Sequence, residues 1–140
     1  MDLLDTFGIS ASGLTAQRVR LQTVASNMAN ARTTRTEDGG PYERRMPGFM
    51  AEQIDPFGNQ LDRELSKVTI TGIEKSGDDP IIVYDPGHPD ADEEGYVEYP
   101  NINILNEMVD LMSTSRSYEA NTKAVDVTKQ MAGQALEIGR

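Results

Sequence analysis

Residues 12–33 read SGLTAQRVRLQTVASNMANART, and the periodicity of this stretch decides the fold. Phe7, Leu14, Leu21 and Met28 fall at seven-residue intervals, with Ala11, Val24, Ala25 and Ala31 in adjoining positions. On a helix rising 1.5 Å per residue these side chains make one apolar stripe about 35 Å long. A stripe of that length needs a partner lying along it.

The partner is at the other end of the chain. Ile104, Met108, Leu111, Ser115, Tyr118, Thr122, Val125, Lys129, Ala132 and Leu136 follow steps of four and three. They predict a second helix whose seam is apolar at first and patchier near Thr122 and Lys129. Leu105, Val109 and Met112 form a second row that widens its first third. So wide a face exceeds what one slim helix covers, so contacts to a neighbouring chain are expected as well. The expected fold is α+β, mainly α. Residues 1–33 and 101–140 pack as a coiled-coil-like helical hairpin, and residues 34–100 form a loop and a small β-rich region.

The helical limits follow from local signals. Gly8 and Gly13 weaken the first turns, so the first helix is expected from about Leu3 or Ser10 to about Ala31, with Asn27 and Asn30 near its end. The second helix starts after Pro100, with Asn101 or Asn103 able to cap it and Glu107 placed to favour its dipole; Gly139 stops it. Between them, Asp38-Gly39-Gly40-Pro41, Pro47-Gly48 and Pro56-Phe57-Gly58-Asn59 punctuate the chain as turns. Strands are expected at Tyr42–Met46 and Phe49–Gln53, separated by Pro47-Gly48, and at Val68–Thr71, Ile81–Tyr84 and Val97–Tyr99. A small antiparallel sheet resting on the helices is the economical arrangement, because a few short strands are marginal alone.

Composition narrows the function. With 140 residues, 37% of them hydrophobic, and no tryptophan, the chain is one domain with a small core that gains burial by assembly. Its charge of −10 is concentrated in residues 37–100, which hold sixteen acids against five bases. The nearly neutral ends can pack on copies of themselves, whereas the acidic middle repels nucleic acid. No cysteine is present, so disulfides and thiolate metal sites are excluded. Asp2 and Asp5 flank Leu3-Leu4 without a signal-length apolar run, so no cleaved signal peptide is expected. The longest apolar run, Ile81 to Tyr84, is far too short to span a bilayer.

Two chemistries deserve weighing. Asp85, His88, Asp90, Asp92, Glu93 and Glu94 gather hard ligands and the single histidine, which raises the alternative of an acidic divalent-cation-binding module. Set against a calcium-binding loop beginning at Asp90, the position that requires a closing bidentate Glu is Asn101, so a stiff loop around Pro86, Gly87 and Pro89 is the better reading. Catalysis is not expected, because no nucleophile has an orienting base and no phosphate-cradling loop is present. No metal, cofactor or small-molecule substrate is expected.

The residues also carry a resemblance. Ser12-Gly13-Leu14-x-Ala16-Gln17 and Ala25-Ser26-Asn27-Met28-Ala29-Asn30-Ala31-x-Thr33 resemble the amino-terminal signature of the flagellar rod and hook axial proteins. Asn101-x-Asn103, Asn106-Glu107-Met108-Val109-x-Leu111-Met112 and Arg116-Ser117-Tyr118-Glu119-Ala120-Asn121 resemble their carboxy-terminal signature. Tyr84 to Asp92, with Gly95-Tyr96-Val97 and Pro100-Asn101, is similar to a loop of the short proximal-rod member, and 140 residues leave no room for the large insertion of the longer members.

The resemblance implies a structural subunit of the proximal rod, the drive shaft that transmits torque for motility. It implies export through the flagellar type III apparatus without a cleaved signal, and a place in a rod that crosses the periplasm. Expected partners are other copies, neighbouring rod proteins, the export gate at the base and the export apparatus. The expected assembly interface comprises Leu14, Leu21, Asn27, Met28 and Asn30 with Met108, Leu111, Met112, Tyr118, Asn121 and Val125. Tyr118 and Asn121 are expected to set register against the Asn27 to Asn30 end of the first helix.

Overall fold

The structure, a computed structural model, describes residues 3–53 and 65–138. Helix α1 spans Leu3–Ala29, strands β1 and β2 span Arg45–Gln53 and Ser66–Lys75, β3 and β4 span Ile81–Tyr84 and Tyr96–Tyr99, and helix α2 spans Ile104–Ile138. The expected stop at Gly139 lies outside the described residues, as does the turn at Pro56 to Asn59. Asn103 starts α2: its Oδ1 accepts the Leu105 and Asn106 amides at 3.0 and 3.3 Å, satisfying donors that the first helical turn leaves free. Asn101 is spent elsewhere, donating from Nδ2 to the Asp79 carbonyl at 3.2 Å.

The strands form two separate two-stranded antiparallel ribbons, β1–β2 and β3–β4, where one sheet was expected. β1 also runs unbroken through Pro47-Gly48 and begins at Arg45, so Tyr42 to Arg44 lie before it. The ladder absorbs the interruption by a bulge. Gly48 faces Gly72 but Phe49 faces Ile70, so Thr71 is the extra residue on β2. Pro47 costs nothing there because a two-stranded ribbon leaves one side of every strand unpaired.

The two helices pack antiparallel, as expected, on a seam that keeps Leu111 and Val125 of the predicted row but turns Met108 and Thr122 out. Asn27 meets Glu107, Arg20 lies 3.4 Å from Asp110, and Gly13 faces Asn121. Asn121 therefore sits opposite the middle of α1, not its Asn27 to Asn30 end. The inward side of α2 carries Glu107, Leu111, Thr114, Asn121 and Val125, one position round from the predicted row at Met108, Ser115 and Thr122. The reason is that α1 presents small and polar groups to α2 and turns other sides to the β1–β2 ribbon. Val68 N, for example, donates to Ser12 Oγ at 3.1 Å. The core is accordingly small: Ala16, Val24, Ala31, Tyr42 and Val97 are its buried apolar members, and Thr23, Asn27, Glu107 and Thr114 are buried beside them.

Candidate assembly interface

A polar pin ties the three packed segments together. Asn27, 1% exposed, uses its whole hydrogen-bonding capacity. Its Nδ2 donates to the Arg45 carbonyl at 2.9 Å and to Glu107 Oε2 at 3.2 Å. Its Oδ1 accepts the Arg45 amide at 2.9 Å and the Tyr42 hydroxyl at 3.1 Å. By bonding both backbone groups of Arg45, the amide acts as a strand neighbour to the first residue of β1. Glu107 is equally buried, and its Oε1 accepts from Arg44 at 2.7 Å. A buried carboxylate without that guanidinium would be strongly destabilising. Glu107 lies in the first turn of α2, as expected for the helix dipole, and is in addition the anion of a buried ion pair. Arg44, Tyr42 and Glu107 were missed in the sequence, although a lone Glu inside the apolar stretch 104–112 was a signal of a buried partner.

The displaced seam leaves the apolar rows of α2 outward. Leu105, Val109 and Met112 are 72, 65 and 58% exposed, and Met108 and Tyr118 lie at the edge of the same surface. Farther along, Met131 and Leu136 are also exposed and line an apolar depression with Ala132 and Ala135. With Gly13 opposite Asn121, antiparallel register brings Leu3 level with the Met131 region, so the last turns of α2 run past α1. Of the expected interface residues, Asn27 is buried, Leu14, Leu21, Met28, Asn30, Leu111, Asn121 and Val125 are half-buried within the hairpin, and Met108, Met112 and Tyr118 face out. Leu111, Asn121 and Val125 therefore lie on the inward side of α2, while Met108 and Met112 lie on its exposed side.

The β3–β4 loop uses its acids on its own backbone and on the turn after α1. Asp85 Oδ1 accepts the Gly87 amide, and Asp92 Oδ1 accepts those of Glu94 and Tyr96 at 2.9 and 2.8 Å. Asp90 accepts from Thr34 Oγ1 at 2.7 Å and lies 3.9 Å from the Arg35 guanidinium. His88 Nδ1 accepts the Asp90 amide, and its ring meets Tyr99 edge-on at 5.9 Å. Pro86 and Pro89 stiffen this loop, and Gly95 closes it with φ of 85°, a left-handed conformation that favours glycine. Among the described residues no three His, Asp or Glu side chains converge as a metal site would require.

Comparison with known proteins agrees with this architecture. Residues 7–35 match the profile of the family described as Flagella basal body rod protein, and residues 93–138 match that described as Flagellar basal body rod FlgEFG protein C-terminal. The first covers most of α1 and the turn bearing Thr34 and Arg35; the second covers β4 and α2. The flagellar basal-body rod protein FlgC of Bacillus subtilis is 42% identical over 151 residues, covering all of both chains. FlgC of Borreliella burgdorferi is 40% identical over 149 residues, spanning 99% of this chain and 98% of its own, and FlgC of Salmonella typhimurium is 39% identical over 140 residues, again covering both chains entirely. Paired terminal helices with a short β-rich middle, matched along their whole length by these relatives, define a rod protein of the flagellar basal body. Within that class, the chain belongs to the FlgC family.

Proposed function

We propose that this chain is a non-enzymatic subunit of the proximal rod that joins its neighbours through the outward face of α2. The observation that carries this is the row Leu105, Val109 and Met112, which no described element covers. Exposed contiguous apolar rows on a small protein mark surfaces buried on association. Residues 1–33 and 101–140 act as one helical unit, and residues 34–100 project from it. Met108, Met112 and Tyr118 dock, while Leu14, Leu21, Asn27, Met28, Asn30, Leu111, Asn121 and Val125 keep the hairpin in register. Close-packed helices resist shear, so a repeating heterologous contact makes a stiff shaft suited to transmitting torque. The chain leaves the cell through the flagellar type III apparatus without a cleaved signal, and its rod crosses the periplasm from the export gate, touching copies of itself and other rod proteins. The single histidine is committed to the Asp90 amide and the Tyr99 ring, which supports a structural role for the loop rather than catalysis.

Val109→Asp and Met112→Asp test the reading. Both positions are solvent-exposed, so folding should change by no more than about 0.5 kcal/mol. Incorporation into isolated basal bodies and swimming should be lost, because assembly would bury an unpaired carboxylate. Cells that swim normally with either variant would sink the proposal.

A further inference from the structure

The outer face of the β3–β4 ribbon complements the outer face of α2 in charge, and both carry exposed apolar side chains. In this ladder Ile82 is paired with Glu98 and Tyr84 with Tyr96, so these four side chains share one face. That face is turned outward: Ile82 and Tyr84 are each 64% exposed, and Tyr96 and Glu98 are exposed beside them. Tyr84 and Tyr96 meet edge to face with ring centroids 5.3 Å apart, which makes a preformed aromatic ledge. Next to it, Glu98, Asp90 and Asp92 line an open pocket of about 170 Å³ with Ile82 and Tyr96. Thr34 also lines it and donates to Asp90, so the pocket is chiefly polar and acidic, with Ile82 and Tyr96 at one side.

Along α2, Leu105, Val109, Met112 and Arg116 follow steps of four, three and four, so an exposed cation ends the apolar row. Arg116 has no ion-pair partner among the described residues. On the strand face Ile82 and Tyr84 lie two steps, about 7 Å, apart, and the eleven steps from Leu105 to Arg116 span about 17 Å, so the ribbon face covers part of the helical row. We infer that, within the rod, the β3–β4 outer face of one copy packs on the Leu105–Arg116 face of the next copy, with Arg116 entering the carboxylate-lined pocket. The occupant is a second copy because the acidic rim and the basic end of the apolar row belong to the same chain, and pairing them offsets the repulsion between copies of a chain of charge −10. The two faces differ, so the contact is heterologous and propagates along a helical array. A patch this small holds weakly by itself and acts where other rod contacts fix the copies side by side.

This inference rests on the chain being a rod subunit, and cross-linking separates the two ideas. The sequence has no cysteine, so introduced thiols report without background. Two differently tagged full-length forms, one Tyr84→Cys and one Val109→Cys, would be co-expressed in flagellated cells and basal bodies isolated. Oxidation should yield a dimer carrying both tags, and neither form alone should cross-link to itself. Adding Arg116→Glu to the Val109→Cys form should lower that product about tenfold, since like charges are then juxtaposed, and Glu98→Arg in the Tyr84→Cys form should restore most of it. Basal bodies that contain the chain but yield no two-tag dimer, or yield cross-links only to a different rod protein, would overturn the inference and leave the rod reading intact. Absence of both forms from basal bodies would overturn both.

Discussion

Asn27→Ala probes the pin at the centre of the fold. The substitution removes four hydrogen bonds at once, but their loss is unequal. The Arg45 backbone lies at an exposed position, where water can replace the amide. Tyr42, 7% exposed, keeps only the 3.3 Å contact with Ser26, and Glu107 Oε2 loses its bond in a site 1% exposed. One hydrogen bond lost from Tyr42 costs about 1 kcal/mol and the unsatisfied charged oxygen of Glu107 about 3 kcal/mol, which together predict a loss of about 4 kcal/mol. That is a large share of the stability of a small domain. With a urea slope of about 1–3 kcal/mol per M, the unfolding midpoint should fall by about 2 M. Asn30→Ala is the control: Asn30 donates only to the Ser26 carbonyl and accepts only from Thr33 on a half-buried surface, so it should cost about 1 kcal/mol. Urea titration of the purified protein followed by circular dichroism measures both. Equal, small shifts for the two variants would refute the claim that Asn27 joins α1, β1 and α2.

Three further outcomes are expected. A methyl group at Gly48 would overlap the Thr71 hydroxyl, so Gly48→Ala should cost about 1 kcal/mol by urea titration, and adding Thr71→Ala should recover most of it. A Cβ at Gly13 would lie 3.3 Å from Asn121 Nδ2, so Gly13→Ala should be near neutral, its helix-propensity gain offset by a small shift of that amide, whereas Gly13→Leu should cost about 2 kcal/mol; a neutral Gly13→Leu would disprove the register of α1 on α2. The Glu52 carboxyl is held below the usual carboxylate range, chiefly by the Thr69 hydroxyl and then by Lys67. Because the folded value is depressed, its contribution to the β1–β2 ribbon is present above the ordinary carboxylate pKa and fades as pH falls through the folded value. Carbon-detected NMR titration should show that low midpoint, and Thr69→Val should raise it.

The amino-acid sequence by itself determined that two long helices bracket a β-rich middle, because a periodicity sustained over twenty or more residues outweighs local turn signals. It also located β3, whose four residues are bounded by turns on both sides, and narrowed the α2 cap to Asn101 or Asn103, between which the structure chose Asn103. The flagellar rod resemblance was legible from the same helical ends, since their side chains carry the family signatures. The inner face of α2 was legible only in part, at Leu111, Asn121 and Val125. Periodicity favours the most apolar row, but an antiparallel partner selects the row that fits its own surface, and α1 offered Gly13, Arg20 and Asn27, so Asn121, Asp110 and Glu107 turned inward. Leu105, Val109 and Met112 were then left exposed. The Arg44–Glu107 pair was hidden for the same reason: burial of a charge depends on a partner brought close only by packing residues far apart in sequence. Bulge and ribbon separation likewise follow from long-range pairing. What only the tertiary structure decided was which apolar side chains hold the chain together and which are left for a neighbour, because that division is set by the register of one helix against the other.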